Sequence, residues 1–381
     1  MSRRAADRAD IAPFYVMEVM RAAELRAAAG HDVLHLEVGQ PSTPAPRGVI
    51  DAAHRALDDD VLGYTTAAGL EPLRRRVGDH YADWYGVDVD PDAVMFTVGA
   101  SGAFVAAFLA AFDVGDRVVV PTPGYPCYRN ALAALGCEVV DLPTTIDDRF
   151  QPTVAQLDAL GPVDGLVLSS PSNPTGTMLD PERMAAVCEW CRANDVWFVS
   201  DEIYHGITYG QAAPTALEFD RDAIVINSFS KYFSMTGWRL GWMIAPDPLR
   251  TALTRIGQNV TIAAPTLSQL GALAAFDCHD ECEENVRRYA TNRELLLSGL
   301  PAAGITELAP ADGAFYVWAR TDHLADDSQA LCARWLDELG IAATPGVDFD
   351  PTDGHRFVRF SFAGSEADVA QAVARLRDWT P

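Results

Sequence analysis

Lysine occurs once in this chain of 381 residues, at Lys231, whereas the other 28 of its 29 basic side chains are arginine. An arginine stays protonated near neutral pH, but a lysine amine can lose its proton and form a Schiff base with an aldehyde. Two hydroxyls, Ser228 and Ser230, precede this lysine, and Arg239 follows it. Because arginine supplies positive charge everywhere else, the isolated lysine predicts covalent chemistry at its position.

Four further short segments carry groups that complement such an amine. Tyr125 stands between prolines and can stack on a planar ring, and Asn173, also between prolines, presents an amide. Asp201 supplies a carboxylate that can keep a heterocyclic nitrogen protonated. The turn Gly99-Ala-Ser-Gly102 contains only small residues, which let backbone N–H groups approach an anion.

Each of these segments follows a predicted strand. Short apolar runs predict strands at 93–98, 117–120, 137–141, 165–169, 196–200, 223–227 and 240–245. Helical patterns alternate with them near 103–112, 125–135, 153–160, 180–193 and 247–257. This alternation predicts a mostly parallel sheet covered by helices on both faces, in which ligands gather at the carboxyl ends of the strands.

Later patterns predict a second, smaller α/β unit. A helical stretch covers about 266–299, and it is followed by strands near 314–318 and 356–361 and by helices near 326–339 and 365–379. An N-terminal helix near 15–29 is expected to pack with this unit.

Taken together, consecutive strand ends offer an anion-binding turn, an aromatic ring, an amide, a carboxylate and a lysine. A site with those groups suits a flat, anionic aldehyde that contains a ring nitrogen, namely pyridoxal 5'-phosphate. The lysine would hold the aldehyde, and the carboxylate would tune the pyridine ring.

Three motifs carry a resemblance to a known family: Ser172-Asn-Pro-Thr-Gly176, Asp201-Glu-Ile-Tyr204, and Ser228-Phe-Ser-Lys231 with Gly237-Trp-Arg239. In this order and spacing the chain resembles the class I/II aminotransferases of the fold-type I pyridoxal-phosphate enzymes, in their aspartate/aromatic branch. The resemblance implies a large cofactor-binding domain, residues 45–275, around the mostly parallel central sheet with its flanking helices. It also implies a smaller α/β domain made of residues 1–44 and 276–381.

The resemblance further implies roles for the residues around the cofactor ring. Lys231 would hold the aldehyde as an imine and move a proton between Cα and C4′, and Asp201 would pair with the pyridine nitrogen. Asn173 and Tyr204 would bond the phenolic oxygen of the ring, and Tyr125 would stack on its face.

Other residues are implied to hold the anionic groups. The phosphate would be held by the backbone N–H groups of Ala100 and Ser101, by Ser228 and Ser230, and by Arg239. Arg359 would clamp the substrate α-carboxylate, because a guanidinium fork fits it bidentately, and Gly39 would add a backbone contact. Tyr64 would reach the phosphate of a neighbouring subunit, which implies a homodimer with shared active sites.

Composition excludes several other kinds of protein. The net charge of −24 argues against nucleic acid or an anionic membrane as a partner. The charged segment Met1 to Asp10 lacks the apolar region of a secretory signal, and seven scattered cysteines fit a reducing cytoplasm. The uncharged segment 93–112 is long enough to span a membrane, but aspartates flank it and its pattern predicts strand, turn and helix.

A zinc site is conceivable at two cysteine groups, Cys188 with Cys191, and Cys278 with His279 and Cys282. Both groups fall in helical patterns, so buried structural thiols are the better interpretation, and no metal is predicted.

Three functions remain open. Amino transfer between an L-amino acid and a 2-oxo acid by a ping-pong route is the first, and a carbon–sulfur β-lyase on the same scaffold is the second. The third, a non-enzymatic effector-sensing regulator, would require a DNA-binding domain for which this acidic chain has no room. The donor is also open, because only arginine can read a second carboxylate and Arg47 and Arg129 are best interpreted as solvated.

Overall fold

A computed structural model of the protein describes residues 4–380. Met1–Arg3, at the start of the charged N-terminal segment, lie outside the described residues, as does Pro381. The strands are β1 (Leu34–His35), β2 (Val94–Val98), β3 (Arg117–Thr122), β4 (Glu138–Pro143), β5 (Gly165–Ser169), β6 (Trp197–Asp201), β7 (Ile224–Ser228), β8 (Leu240–Ile244), β9 (Tyr316–Arg320), β10 (Ile341–Ala342), β11 (Thr344–Pro345) and β12 (Phe357–Ser361).

Helices surround these strands. They are α1 (Tyr15–Ala28), α2 (Arg47–Asp59), α3 (Glu71–Tyr85), α4 (Gly99–Ala111), α5 (Pro126–Leu135), α6 (Val154–Asp158), α7 (Pro181–Ala193), α8 (Asp247–Val260), α9 (Thr266–Ala272), α10 (His279–Ala302), α11 (Ser328–Arg334) and α12 (Glu366–Asp378). Local chemistry sets many of their ends. For example, α5 begins with a proline, whose missing N–H is not needed there, and ends at Gly136 in the left-handed conformation (φ 93°).

Seven strands form the central sheet, in the order β2-β8-β7-β6-β5-β3-β4. Its interior strands β5, β6 and β7 are almost wholly buried apolar runs, as expected for parallel strands covered on both faces. Only β8 runs antiparallel to its neighbours, β2 and β7. Because β8 is reversed against both, β2 points the same way as β7, and the carboxyl ends of six strands meet at one edge. The predicted mostly parallel α/β sheet and its seven strands are confirmed, to within two residues at each strand end.

The junction between β2 and α4 differs from the prediction of a separate turn over residues 99–102. The helix begins at Gly99 itself, which takes a left-handed φ of 67° and so turns the chain from strand to helix without an intervening loop. The first helical turn therefore lies directly at the carboxyl edge of the sheet.

A second group of strands lies outside the central sheet. The antiparallel order β11-β12-β9 forms one small sheet, and β1 pairs in parallel with β10. Helix α1 packs against β10 and β11, and α10 packs against α12, as the expected smaller α/β unit requires. The boundaries 1–44, 45–275 and 276–381 remain predictions.

Two parts of the helical prediction were wrong. Helices α2 and α3 were not predicted, and the single helical stretch over 266–299 is broken into α9, a short 3-10 turn at Ala275–Asp277, and α10. The break occurs because Cys278 leaves the helical region (φ −110°, ψ 27°). Asp280 and Glu281 then occupy the first turn of α10, where negative charge favours a new helix start.

The structure also shows where the cysteine groups and the uncharged segment 93–112 lie in the fold. Cys188 and Cys191 lie on the buried face of α7, and Cys282 is buried in α10, as structural thiols would be. Cys278 is partly exposed and lies just before α10 rather than within a helix. Within residues 4–380, no cluster of potential metal ligands and no helix with the length and apolar character of a membrane span is found.

Candidate active site

A cavity of about 230 Å³ opens at the carboxyl edge of the central sheet, beside β12 of the smaller sheet. Every predicted site residue except Tyr64 lines it. These residues are Gly39, Ala100, Ser101, Tyr125, Asn173, Asp201, Tyr204, Ser228, Ser230, Lys231, Arg239 and Arg359. The strand ends therefore bring together side chains that are far apart in the sequence.

Lys231 follows the end of β7 and directs its amine into the cavity. Its Nζ donates a hydrogen bond to the carbonyl oxygen of Gly39 at 2.6 Å. Burial first, and then the nearby Arg359 guanidinium, lower the pKa of Lys231 from 10.5 to about 8, although the Asp201 carboxylate opposes the change. The amine is therefore neutral, and able to attack a carbonyl carbon, at a lower pH than an ordinary lysine.

Asp201 is the last residue of β6 and is 1% exposed. One carboxylate oxygen accepts a hydrogen bond from the Ile203 N–H at 3.1 Å, and the other accepts one from the Tyr128 hydroxyl. Burial raises the pKa of Asp201 to about 6, against the effect of these hydrogen bonds. A carboxylate held in this way can fix and stabilise a protonated ring nitrogen.

Tyr204 and Asn173 contact other residues of the cavity in addition to facing it. The Tyr204 hydroxyl lies 2.8 Å from the hydroxyl of Tyr316, and the Asn173 Oδ1 accepts a hydrogen bond from Arg359 Nη1 at 2.9 Å. Asn173 therefore links the end of β5 to β12, so that the two sheets share one polar network.

The part of the cavity beside the start of α4 can hold an anion. Helix α4 starts there without a side-chain cap, so the N–H groups of its first turn, at Ala100 and Ser101, are not satisfied by a capping side chain. Ser228 Oγ and Ser230 Oγ lie 2.9 Å apart beside them, and Arg239 completes the set. A Cβ placed on Gly99 would lie 2.2 Å from Arg239 Nη2, so the absence of a side chain at Gly99 makes room for the guanidinium. These donors fit a phosphate group.

Arg359 lies on β12 of the smaller sheet and is 2% exposed. It donates to Asn173, to Thr344 Oγ1 at 3.2 Å and to the carbonyl oxygen of Glu37, and its Cζ lies 4.4 Å from the Tyr316 ring centroid. Its Nε has no hydrogen-bond partner, and among residues 4–380 no carboxylate forms an ion pair with it. A buried guanidinium without a counter-ion is suited to an incoming carboxylate.

Sequence reasoning missed several residues of this cavity. Tyr128 contacts Asp201, and Tyr316 contacts Tyr204. An apolar part of the lining is formed by the N-terminal residues Phe14, Val16 and Met17. Tyr128 had a signal, because it lies in the first turn of α5, three residues after Tyr125 at the N-cap, and so faces the same side. The other four are remote in sequence from every motif.

Tyr64 is the one predicted site residue that the chain does not place in the cavity. Its side chain is 84% exposed, in the loop between α2 and α3. Within one chain it contributes nothing to the cavity, and its expected role toward a neighbouring subunit remains a prediction.

The donor set as a whole fits pyridoxal phosphate. Helix α4 with Ser228, Ser230 and Arg239 would hold the phosphate, Asp201 the ring nitrogen, and Lys231 the aldehyde carbon. When bound, the cofactor supplies an electrophilic carbon and an electron-withdrawing ring. The chain supplies the orientation, the proton-carrying amine and the carboxylate-binding guanidinium.

The lowered pKa of Lys231 can be tested directly because the chain has no other lysine. In cofactor-free protein, an amine-reactive reagent should label Lys231 with a rate that rises with pH and reaches half its maximum near pH 8, since only the neutral amine reacts. Peptide mass spectrometry separates this label from that on the N-terminal amine, and Lys231→Arg should remove it. A half-maximum near 10.5, the ordinary value, would contradict the assigned environment.

Comparisons with known proteins agree with this geometry. The family described as aminotransferase class I and II matches residues 31–376. A valine–pyruvate aminotransferase of Mycobacterium tuberculosis is 48% identical over 386 residues, covering all of both chains. The crystal structure of an aminotransferase from Mycobacterium tuberculosis superposes with a TM-score of 0.97 at 48% identity, covering 99% of each chain. An aspartate aminotransferase from Thermus thermophilus, solved with maleate, superposes with a TM-score of 0.93 at 30% identity, covering 99% of this chain and 100% of that one.

These relatives are aminotransferases, which favours amino transfer over the β-lyase and regulator alternatives. With a cavity whose donors fit the cofactor and a family match along nearly its whole length, the chain belongs to the class I and II aminotransferases, the pyridoxal-phosphate enzymes that move an amino group between an amino acid and a 2-oxo acid.

Proposed function

We propose that this aminotransferase takes its amino group from an uncharged, apolar L-amino acid and passes it to a small 2-oxo acid such as pyruvate. The observation that carries the proposal is the set of charges in the cavity. Among the described lining residues, the cationic side chains are Lys231, Arg239 and Arg359. Lys231 is needed for the chemistry, Arg239 for the cofactor phosphate and Arg359 for the α-carboxylate, so none is left for a second substrate carboxylate.

The other arginines considered for such a role point elsewhere. Arg47 Nη2 pairs with Asp51 at 2.8 Å, and Arg129 Nη2 pairs with Asp141 at 2.8 Å. Neither lines the cavity. The apolar lining by Phe14, Val16 and Met17 favours a hydrocarbon side chain instead. The 48% identity to an enzyme named valine–pyruvate aminotransferase supports the same donor class.

Within this reaction we assign each side chain one task. Lys231 carries the proton at the substrate Cα, and the low pKa of its amine lets it accept that proton near neutral pH. Asp201, fixed by the Tyr128 hydroxyl, would hold the ring nitrogen of the cofactor, Asn173 and Tyr204 would orient its ring oxygen, and Tyr125 would cover its face. Arg359 orients the substrate through its carboxylate and thereby places the Cα proton.

A homodimer with shared active sites is part of the proposal. Tyr64 is exposed, and two other apolar side chains of this region, Val61 at 96% and Ile262 at 47%, are exposed as well. The loop is held to the start of α9 by a hydrogen bond from Thr266 Oγ1 to the carbonyl oxygen of Gly63 at 2.6 Å. Apolar surface presented on a fixed loop is typical of an interface.

We also propose that the enzyme works in the cytoplasm. All seven cysteines are free thiols, and several of them are buried in the core. Free thiols in this number fit a reducing compartment.

Donor choice is the direct test of the proposal. With pyruvate as acceptor, kcat/KM for valine should exceed that for aspartate by at least roughly tenfold, or about 1.4 kcal/mol, because the second carboxylate would be buried without a partner. Keto-acid product is measured for a panel that includes leucine, alanine, glutamate and cysteine, and released ammonia is measured in parallel. Faster turnover of aspartate or glutamate would refute the proposed donor class, and ammonia release from cysteine would support the β-lyase.

Arg359→Ala tests the carboxylate clamp. Because every amino acid carries the α-carboxylate, kcat/KM should fall for all donors alike, by about 2–5 kcal/mol, or roughly 30- to 4000-fold. Arg320→Ala is the matched control, since Arg320 is an arginine at the end of β9 in the same small sheet and pairs with Glu307 and Asp322 near the surface. A loss confined to one donor would show that Arg359 reads a side chain instead.

Tyr64→Phe tests the shared site. The protein should sediment as a dimer, and loss of the hydroxyl should weaken retention of pyridoxal phosphate by roughly tenfold or more, the value of a hydrogen bond to a charged group. The dissociation constant is obtained from the absorbance of the bound cofactor. A fully active monomer, or a variant that keeps the cofactor as tightly as the wild type, would rule out this role.

A further inference from the structure

Helix α1 begins without a cap from its own sequence. Phe14 occupies the N-cap position and has no side chain that can accept a hydrogen bond from the first turn. The acceptors come instead from Asp348: the Tyr15 N–H donates to Oδ1 at 3.1 Å and the Val16 N–H to Oδ2 at 3.0 Å. One carboxylate thus satisfies two of the open N–H groups of a helix that lies more than three hundred residues earlier in the chain.

The hydrogen bonds from α1 to Asp348 fix three residues that line the cavity, namely Phe14, Val16 and Met17. Phe14 packs edge-on against Tyr125, with ring centroids 6.0 Å apart. Val16 is 7% exposed and Met17 is 50% exposed, and both belong to the lining. Phe14, Val16 and Met17 together form an apolar wall of the cavity. The position of the first turn of α1 therefore sets the position of this wall.

Asp348 is itself held in place. It is 5% exposed and lies in the turn Gly346–Asp348, where a Cβ on Gly346 would lie 2.4 Å from the Gly354 carbonyl oxygen, so the turn is packed against its neighbour. The next residue, Phe349, places its ring 4.7 Å from the Arg359 guanidinium. One turn thus supports both the carboxylate-binding group and the cap of α1.

We infer that Asp348 is a positioning residue that holds Phe14, Val16 and Met17 as the wall against which the substrate side chain packs, and so sets the preference for large over small apolar donors. The inference rests on the proposed function, because a wall of this kind matters only if the donor side chain is apolar. Asp348 lies outside the cavity lining and hydrogen-bonds the first turn of α1, while its carboxylate also interacts electrostatically with Arg359. It is thus distinct from the residues that hold the cofactor or the α-carboxylate.

The test uses Asp348→Asn, which keeps the shape but turns one acceptor into a donor facing an N–H group, and Asp348→Ala. The ratio of kcat/KM for leucine to that for alanine should fall roughly tenfold, the scale of apolar contacts in a substrate pocket. Turnover of alanine, whose methyl group is too short to use the wall, should stay within about twofold. Asp350→Asn is the matched control, because this buried aspartate also caps backbone N–H groups, at Thr352 and Asp353, but does not bond α1.

A second readout does not depend on turnover. In the holoenzyme, hydrogen exchange at the Tyr15 and Val16 amides should be at least roughly tenfold faster in both Asp348 variants and unchanged in the control. Unchanged exchange at these amides would overturn the inference, as would faster exchange with an unchanged leucine-to-alanine ratio. A wild-type enzyme that prefers aspartate would refute the proposed donor class instead, and the exchange result would still decide whether Asp348 fixes α1.

Discussion

An excess of positive charge in one cavity is the constraint on which the rest of the site depends. Among the described residues that line this cavity, Lys231, Arg239 and Arg359 face one carboxylate, Asp201, although the chain as a whole carries a net charge of −24. Buried cations are stable only when anions or hydrogen-bond acceptors compensate them. The Gly39 carbonyl, the Asn173 amide and the Glu37 carbonyl do this in part, and a phosphate and an α-carboxylate complete it. Burial first, and then the charges of Arg359 and Arg239, lower the pKa of the Lys231 amine.

The sheet makes this concentration of charge possible. Parallel strands end at one edge, so residues that follow β3, β5, β6 and β7 meet there without any local sequence relation. The reversed strand β8 brings β2 into the same direction, and with β2 comes the uncapped start of α4. Arg359 lies on β12 of a separate antiparallel sheet, so the cavity lies where the two sheets meet.

Much of the central sheet and of the cofactor side of the cavity could be predicted from sequence, because the signals there are local. Lys231, Asp201 and Asn173 each come within four residues of the end of a predicted apolar strand, and a strand end is a short-range pattern. The partners Tyr316, Phe14 and Val16 could not be found in this way, since they approach the cavity only through tertiary packing. Helices α2 and α3 were missed, and the apolar run over residues 270–276 hid the break before α10. Periodicity alone cannot locate a break whose cause is the backbone of one residue, Cys278.

The capping of α1 by a turn near the other end of the chain has a consequence for biosynthesis. The first helix emerges from the ribosome long before Asp348, and β1 likewise waits for β10 as its partner. All seven strands of the central sheet, with Lys231 and Asp201, precede Asp348 and Arg359 in the chain. The residues assigned to the cofactor are thus synthesised before the cap that fixes the apolar wall and before the guanidinium assigned to the amino acid.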